Sequence, residues 1–146
     1  MKIFFDSSVL IASLLSDTGG SAKLLNLCEV KSLSGYISED VVVEVEIVLN
    51  RKFPALLEIF RKNTAETNLI IVKFASSAKL KEASTWIKDP NDAKILAGAK
   101  EADVDFLVTL DIRDFIKDTS VSKKSGIKIL TPGDMLKELY LSIPNI

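Results

Sequence analysis

The sequence predicts a three-layer α/β sandwich, a central and mostly parallel sheet of about five strands with helices on both faces. Three observations lead there. Helical patterns alternate with short strands along the chain. The strands are nearly all apolar, as strands buried on both faces are. No repeat, low-complexity tract or Pro/Gly-rich linker interrupts the 146 residues, so 1–146 reads as a single domain.

The elements come in order. KIFF (2–5) is a short buried strand, and Ser7-Ser8 opens a helix. Residues 21–30 carry apolar side chains at helical spacing, with Ser21 as a cap after Gly19-Gly20. Gly35-Tyr36-Ile37 is a second strand, and Ser38 can cap a helix beginning at Glu39. Residues 41–49 admit two readings. VVVEVEIVL is rich in β-branched valine and alternates from Val43 to Ile47, which favours a strand. Ser38 as a cap, with Glu39 and Asp40 in a first turn, favours a helix. Pro54 opens a helix over 54–62, LIIVK (69–73) is a strand and 77–88 a helix. Asp89-Pro90 starts the next helix, with Asp89 as cap, Pro90 at the first position and Asp92 in the positive first turn. FLVTL (106–110) and IKIL (127–130) are strands, and 133–141 is a closing helix.

Composition removes several function classes. The chain is 47% hydrophobic and 27% charged, and has no apolar run long enough to span a bilayer. MKIFFDSSVLIASLL mimics a signal peptide, but Asp6 interrupts it and no small-residue cleavage pattern comes after it. A cytoplasmic protein is expected. The single cysteine, Cys28, lies in an apolar helical pattern and reads as core. There is no histidine, which excludes Ser-His-Asp triads, Cys-His dyads and His-ligated zinc. Catalysis must then use carboxylates, hydroxyls, lysines or a hard cation. A net charge of −1 gives no global attraction for nucleic acid.

In open parallel sheets, sites form beyond the carboxyl ends of the strands. Asp6 directly follows KIFF and Asp111 directly follows FLVTL, so both belong at one edge. Asp92 lies in the first turn of the helix before FLVTL. Taken singly, each acid is equally well explained as a helix cap, a dipole partner or a turn residue, as are Asp89 and Asp114. Taken together, two strands ending in aspartate at one edge favour a cluster that binds a divalent cation through oxygen.

FFDSSVLIASLL resembles the opening of the PIN-domain nucleases, in which a strand ends in aspartate before a small apolar helix. ISEDVVVEVEIVLNRKF resembles that family's second motif, a serine followed by an acidic helix. DPNDAKILAGAKEADVDFLVTLDIRDF resembles its third and fourth motifs, and GIKILTPGDML its closing strand and helix in a bacterial and archaeal subgroup. The match runs in order over nearly the whole chain. It implies a helix over 39–50, a central first strand and an acidic pocket of Asp6, Glu44, Asp92 and Asp111. Asp114 matches an additional acid, while Asp89 has no counterpart and remains a cap. Ser8 departs from the asparagine of many members.

The resemblance further implies a Mg²⁺- or Mn²⁺-dependent endoribonuclease, with Asp6, Asp92, Asp111 and Asp114 toward the metal. Glu44 would hold a second ion or orient the water; Ser7 and Thr109 either fix a ligand water or serve simply as helix start and strand polarity. The cation would neutralise the scissile phosphate and activate water. Many members are VapC-like toxins, so an antitoxin partner is expected beside the RNA substrate. Alternatives are an RNA-processing nuclease that is not a toxin, and a catalytically weak binding module. A receiver-like signalling domain is disfavoured, since LIIVK ends in Lys73 rather than aspartate and IKIL leads into Thr131-Pro132. A DxD-type phosphatase lacks its second aspartate at Asp6-Ser7-Ser8. The basic doublets Arg51-Lys52, Arg61-Lys62 and Lys123-Lys124, and Arg113 near the pocket, read as solvated surface that would meet phosphates if it met RNA. Phe60 and Trp86 lie on helical segments whose apolar faces suggest a homodimer, with packing inside the domain as the alternative.

Overall fold

A computed structural model describes residues 1–142. Five strands form one sheet in the order β3-β2-β1-β4-β5. They are β1 (Lys2–Phe5), β2 (Ser34–Ser38), β3 (Ile70–Val72), β4 (Phe106–Val108) and β5 (Lys128–Leu130). Every pairing is parallel. Phe4 of the central strand lies opposite Tyr36 on one side and Leu107 on the other. Ile3, Phe4 and Phe5 are all 0% exposed. Successive strand residues point to opposite faces, so helices cover both sides of the sheet.

The connecting helices are α1 (Ser7–Leu15), α2 (Gly20–Glu29), α3 (Glu39–Lys52), α4 (Leu57–Glu66), α5 (Ser77–Ala83), α6 (Pro90–Glu101), α7 (Thr119–Ser125) and α8 (Pro132–Leu141). Among the described residues no helix is long and apolar enough to cross a membrane.

The ambiguous segment is helical. The buried Ser38 hydroxyl accepts a hydrogen bond from the Val41 N–H, and Glu39 and Asp40 fill the first turn. Val41, Val45 and Leu49 then form a buried stripe at four-residue spacing. Cap and stripe together outweigh the strand preference of valine. Other boundaries differ from expectation. Gly19, not Ser21, caps α2, and Ser21 is buried inside the helix. Pro54 opens a 3₁₀ turn before α4 rather than α4 itself. Helix α5 ends at Ala83, five residues short of Lys88, and is capped by Ser76. Strand β4 stops at Val108, so Asp111 lies in the loop beyond it. A π-helical turn over Ile112–Ile116 and helix α7 carry no signal in the sequence pattern.

Phe60 is 3% exposed inside the core, and Trp86 packs against that core under the Lys100 ammonium. Neither offers the free apolar face expected for a homodimer. Exposed apolar side chains lie elsewhere, at Val43 and Ile47 of α3 and at Phe74.

Gly98 of α6 lies tight against the sheet. A Cβ there would lie 3.0 Å from the Ser38 Cβ and 3.2 Å from the Phe4 ring. Only a residue without a side chain lets α6 approach β1 and β2 so closely.

Candidate metal centre

The end of β1 carries Asp6 to the carboxyl edge of the sheet. Its backbone N–H donates to the Val108 carbonyl at 3.0 Å, which locks it beside β4. Asp6 occupies the cap position of α1, yet its side chain caps nothing. The residue is instead 5% exposed and its carboxylate accepts from hydroxyls: Ser8 Oγ at 2.7 Å and Thr109 Oγ1 at 2.8 Å on Oδ2, with Ser7 Oγ at 3.4 Å from Oδ1. The hydroxyls of Ser8 and Thr109 also accept from the backbone of the loop after β4. Leu110 N–H donates to Ser8 Oγ at 3.1 Å and Asp111 N–H to Thr109 Oγ1 at 3.0 Å. Ser8 thus contributes a local bridge at the position where the resemblance implies asparagine.

That loop turns back on itself because Asp111 accepts, through Oδ1, from the Asp114 N–H at 3.1 Å. The π-helical turn beyond it brings Asp114 to the same side. Asp92 arrives from α6, whose first turn is held by Asp89: one Asp89 oxygen accepts from the N–H groups of Asn91 and Asp92 at 2.9 and 3.0 Å. The result is a trio, Asp92, Asp111 and Asp114, each offering a carboxylate oxygen within 4.8 Å of the others.

Electrostatics extend the cluster beyond the trio. Burial pushes the Asp92 carboxyl up to about 7, and the negative charges of Asp89, Asp111, Asp114 and Asp6 push in the same direction. The Glu44 carboxyl on α3 is also raised, by burial first and by Asp6 next, while the Ser7 hydroxyl partly offsets the rise. Asp6 and Glu44 therefore share the acidic field of this edge without lying inside the trio. Asp89 is the cap that the sequence suggested, and it also adds its charge to both groups.

Among the described residues no cation neutralises this edge from within. Arg113 approaches Asp114 at 3.6 Å, but its side chain is 88% exposed and sits on the outer rim. Close, half-buried carboxylates without a counter-charge repel one another, and a divalent ion relieves that repulsion. The donor set is all oxygen, which fits a hard cation such as Mg²⁺ or Mn²⁺ and not a thiolate- or imidazole-loving metal. The sequence did not reveal how far Thr109 matters. It is 0% exposed and joins Asp6 to Asp111; the signal available was a hydroxyl in an otherwise apolar FLVTL.

The chain is similar to known proteins in sequence pattern and in shape. A family described as PIN domain matches residues 2–113, which includes Asp6, Glu44, Asp92 and Asp111 and stops one residue before Asp114. No curated protein sequence matches significantly. A toxin–antitoxin complex from Klebsiella pneumoniae has a chain of the same fold, with TM-score 0.61 and 22% identity over 89% of this chain and 97% of that one. VapBC2 from Rickettsia felis, bound to a DNA fragment from its promoter, gives TM-score 0.64 and 15% identity over 90% of this chain and 98% of that one. VapC20 of Mycobacterium tuberculosis, a sarcin–ricin loop cleaving toxin, gives TM-score 0.57 and 16% identity over 76% of this chain and 91% of that one. At these identities the likeness establishes the fold.

Proposed function

The chain belongs to the PIN-domain family, and on that premise we propose that it is a metal-dependent endoribonuclease, the toxin of a toxin–antitoxin pair. The observation that carries the reading is the Asp92–Asp111–Asp114 trio tied to Asp6 through Thr109. Asp92, Asp111 and Asp114 would hold Mg²⁺ or Mn²⁺, with Asp6 beside them. When bound, such an ion supplies charge neutralisation at the scissile phosphate and lowers the pKa of the attacking water.

The protein's own residues position the rest. Ser8 and Thr109 both donate to Asp6 Oδ2, which leaves Oδ1 as the oxygen with spare acceptor capacity. Glu44, part-buried and within the field of Asp6, would hold a second ion or orient the water. Asp89 holds the first turn of α6 and with it the position of Asp92. The likeness to a sarcin–ricin loop cleaving toxin supports RNA as the substrate class. The likeness to chains of toxin–antitoxin complexes supports a small antitoxin partner, and a cytoplasmic site of action agrees with such a substrate.

Purified protein should cleave single-stranded RNA with Mn²⁺ or Mg²⁺ and stop on addition of EDTA. Asp111→Asn keeps the side-chain volume and removes one negative ligand, so cleavage should fall at least about a hundredfold. Cleavage that survives EDTA, or an Asp111→Asn variant as fast as wild type, would reject the metal reading. We also propose a homodimer, resting on the exposed Val43, Ile47 and Phe74 rather than on Phe60 and Trp86. Sedimentation showing only monomer at micromolar concentration would exclude it.

A further inference from the structure

A groove of about 330 Å³ shares Asp89 and Asp114 with the acidic edge. Three separate segments line it: the turn after α5 with Trp86 and Lys88, the π-helical turn with Arg113, and α7 with Lys124. Residues far apart in sequence thus place three cations around one channel. Lys88, Arg113 and Lys124 are all exposed. Among the described residues neither Lys88 nor Lys124 forms an ion pair, and Arg113 pairs only with Asp114 on the rim of the metal trio. Three acids also line the groove: Asp89 and Asp114, which belong to the acidic edge, and Asp118, one oxygen of which accepts from the Ser120 N–H and hydroxyl at 3.0 and 2.7 Å and whose charge lies in the field of Lys124 and Lys88.

Basic residues elsewhere differ. Arg61 is paired with Glu46 at 3.3 Å, and Arg51 lines a different groove beside α3, where Asp40 and Glu44 supply as many acids as Arg51 and Lys94 supply cations. Basic side chains scattered on a surface are usually just solvated. Here they converge on a groove that Asp89 and Asp114 of the acidic edge also line. A strand whose scissile phosphate sits at that cluster needs counter-charge for the neighbouring phosphates. The acids cannot provide that charge.

Resting on the nuclease reading, we propose that this groove holds the RNA strand on one side of the scissile bond. Lys88, Arg113 and Lys124 contact successive phosphates and position the strand without reading its bases. They are positioning residues and take no part in the chemistry.

The test compares three full-length proteins: wild type, the triple variant Lys88→Gln/Arg113→Gln/Lys124→Gln, and a control triple, Lys23→Gln/Lys31→Gln/Lys62→Gln, on other exposed surfaces. Both triples lose the same charge. Binding of a fluorescein-labelled single-stranded RNA is followed by anisotropy in EDTA across a salt series. Each phosphate contact to a single strand contributes a slope of about 0.7 in log affinity against log salt, so the groove variant should lose about 2 from the slope and the control should lose nothing. With Mn²⁺ restored, the loss in the groove variant should appear chiefly in KM, roughly tenfold, with the smaller change in kcat. A groove variant with the wild-type slope, or a control that loses as much, overturns the proposal. Wild type that cuts no RNA with Mn²⁺ overturns the nuclease reading beneath it. An RNA-cutting wild type with an unaffected groove variant rejects the groove alone.

Discussion

Thr109 shows how much one hydroxyl can hold. Its Oγ1 donates to Asp6 and accepts from the Asp111 N–H, so it joins the aspartate at the end of the first strand to the loop that carries two of the trio. Valine has almost the same shape and no donor. Thr109→Val should therefore keep the strand's shape while loosening Asp6, whose Oδ2 is left with the Ser8 hydroxyl alone. Supporting residues of this kind change metal affinity by about 10–100-fold when removed. Titration of Mn²⁺ by calorimetry should show a loss in that range, together with about 1–2 kcal/mol of stability from the lost Thr109–Asp6 hydrogen bond and the Asp111 N–H left without its acceptor. Equal Mn²⁺ affinity in the two proteins would show that Asp6 is not a ligand. The acids themselves were legible because strand ends and helix starts mark them. The support was not legible, since a threonine within an apolar strand pattern has the ordinary meaning of β-propensity. Asp114 needed both the resemblance and the π-helical turn, and no local pattern announces such a turn.

Helices α3 and α6 bring Glu44 and Asp92 to the sheet, and both are anchored at Ser38. That residue ends β2 and caps α3, and it packs against Gly98 of α6. In Gly98→Ala the new methyl would meet the Ser38 Oγ at 3.1 Å as well as the Phe4 ring, all in the interior. Overpacking of that kind costs about 1–3 kcal/mol. Alanine's better helix propensity returns at most about 1 kcal/mol. Thermal unfolding should show a net drop in Tm, and Asp92 should move away from Glu44 with the helix. A variant as stable as wild type would mean that α6 can shift at no cost. The order of elements was readable because period-2 and period-3.6 patterns alternate so regularly. For 39–52 the local signals conflicted. VVVEVEIVL carries a strand's residues on a helix's buried stripe, and family resemblance rather than propensity resolved it. Boundaries such as the end of β4 at Val108 depend on pairing with β1 and β5, which no local window contains.

At the scale of the molecule, a nearly neutral chain of net charge −1 places a cluster of acids at one edge. Without metal this edge is a liability that depends on pH. The Asp92 pKa is raised in the folded state to about 7 from an ordinary 3.8, so the folded protein holds a proton that the unfolded chain releases. Stability from this group is complete below about pH 4 and is lost as pH rises toward 7. Glu44 is shifted in the same direction. In EDTA, melting curves should show stability falling between these pH values by an amount on the order of 2 kcal/mol, allowing for solvent screening. Asp92→Asn should flatten that decline and melt higher than wild type at pH 8. Mn²⁺ should raise the wild-type Tm at pH 8 and have less effect near pH 5. A pH-independent melt in EDTA would contradict the crowding of these acids. The parallel sheet has one more consequence. Its central strand is the first to be made, and the partners that complete the acidic edge come from the other end of the sequence. On a ribosome, Asp6 emerges long before Thr109, Asp111 and Asp114 have been added to a chain of 146 residues. A growing polypeptide that has passed Asp6 but has not yet reached Asp114 therefore has no assembled acidic centre, and that centre forms only after its most distant parts meet in the fold.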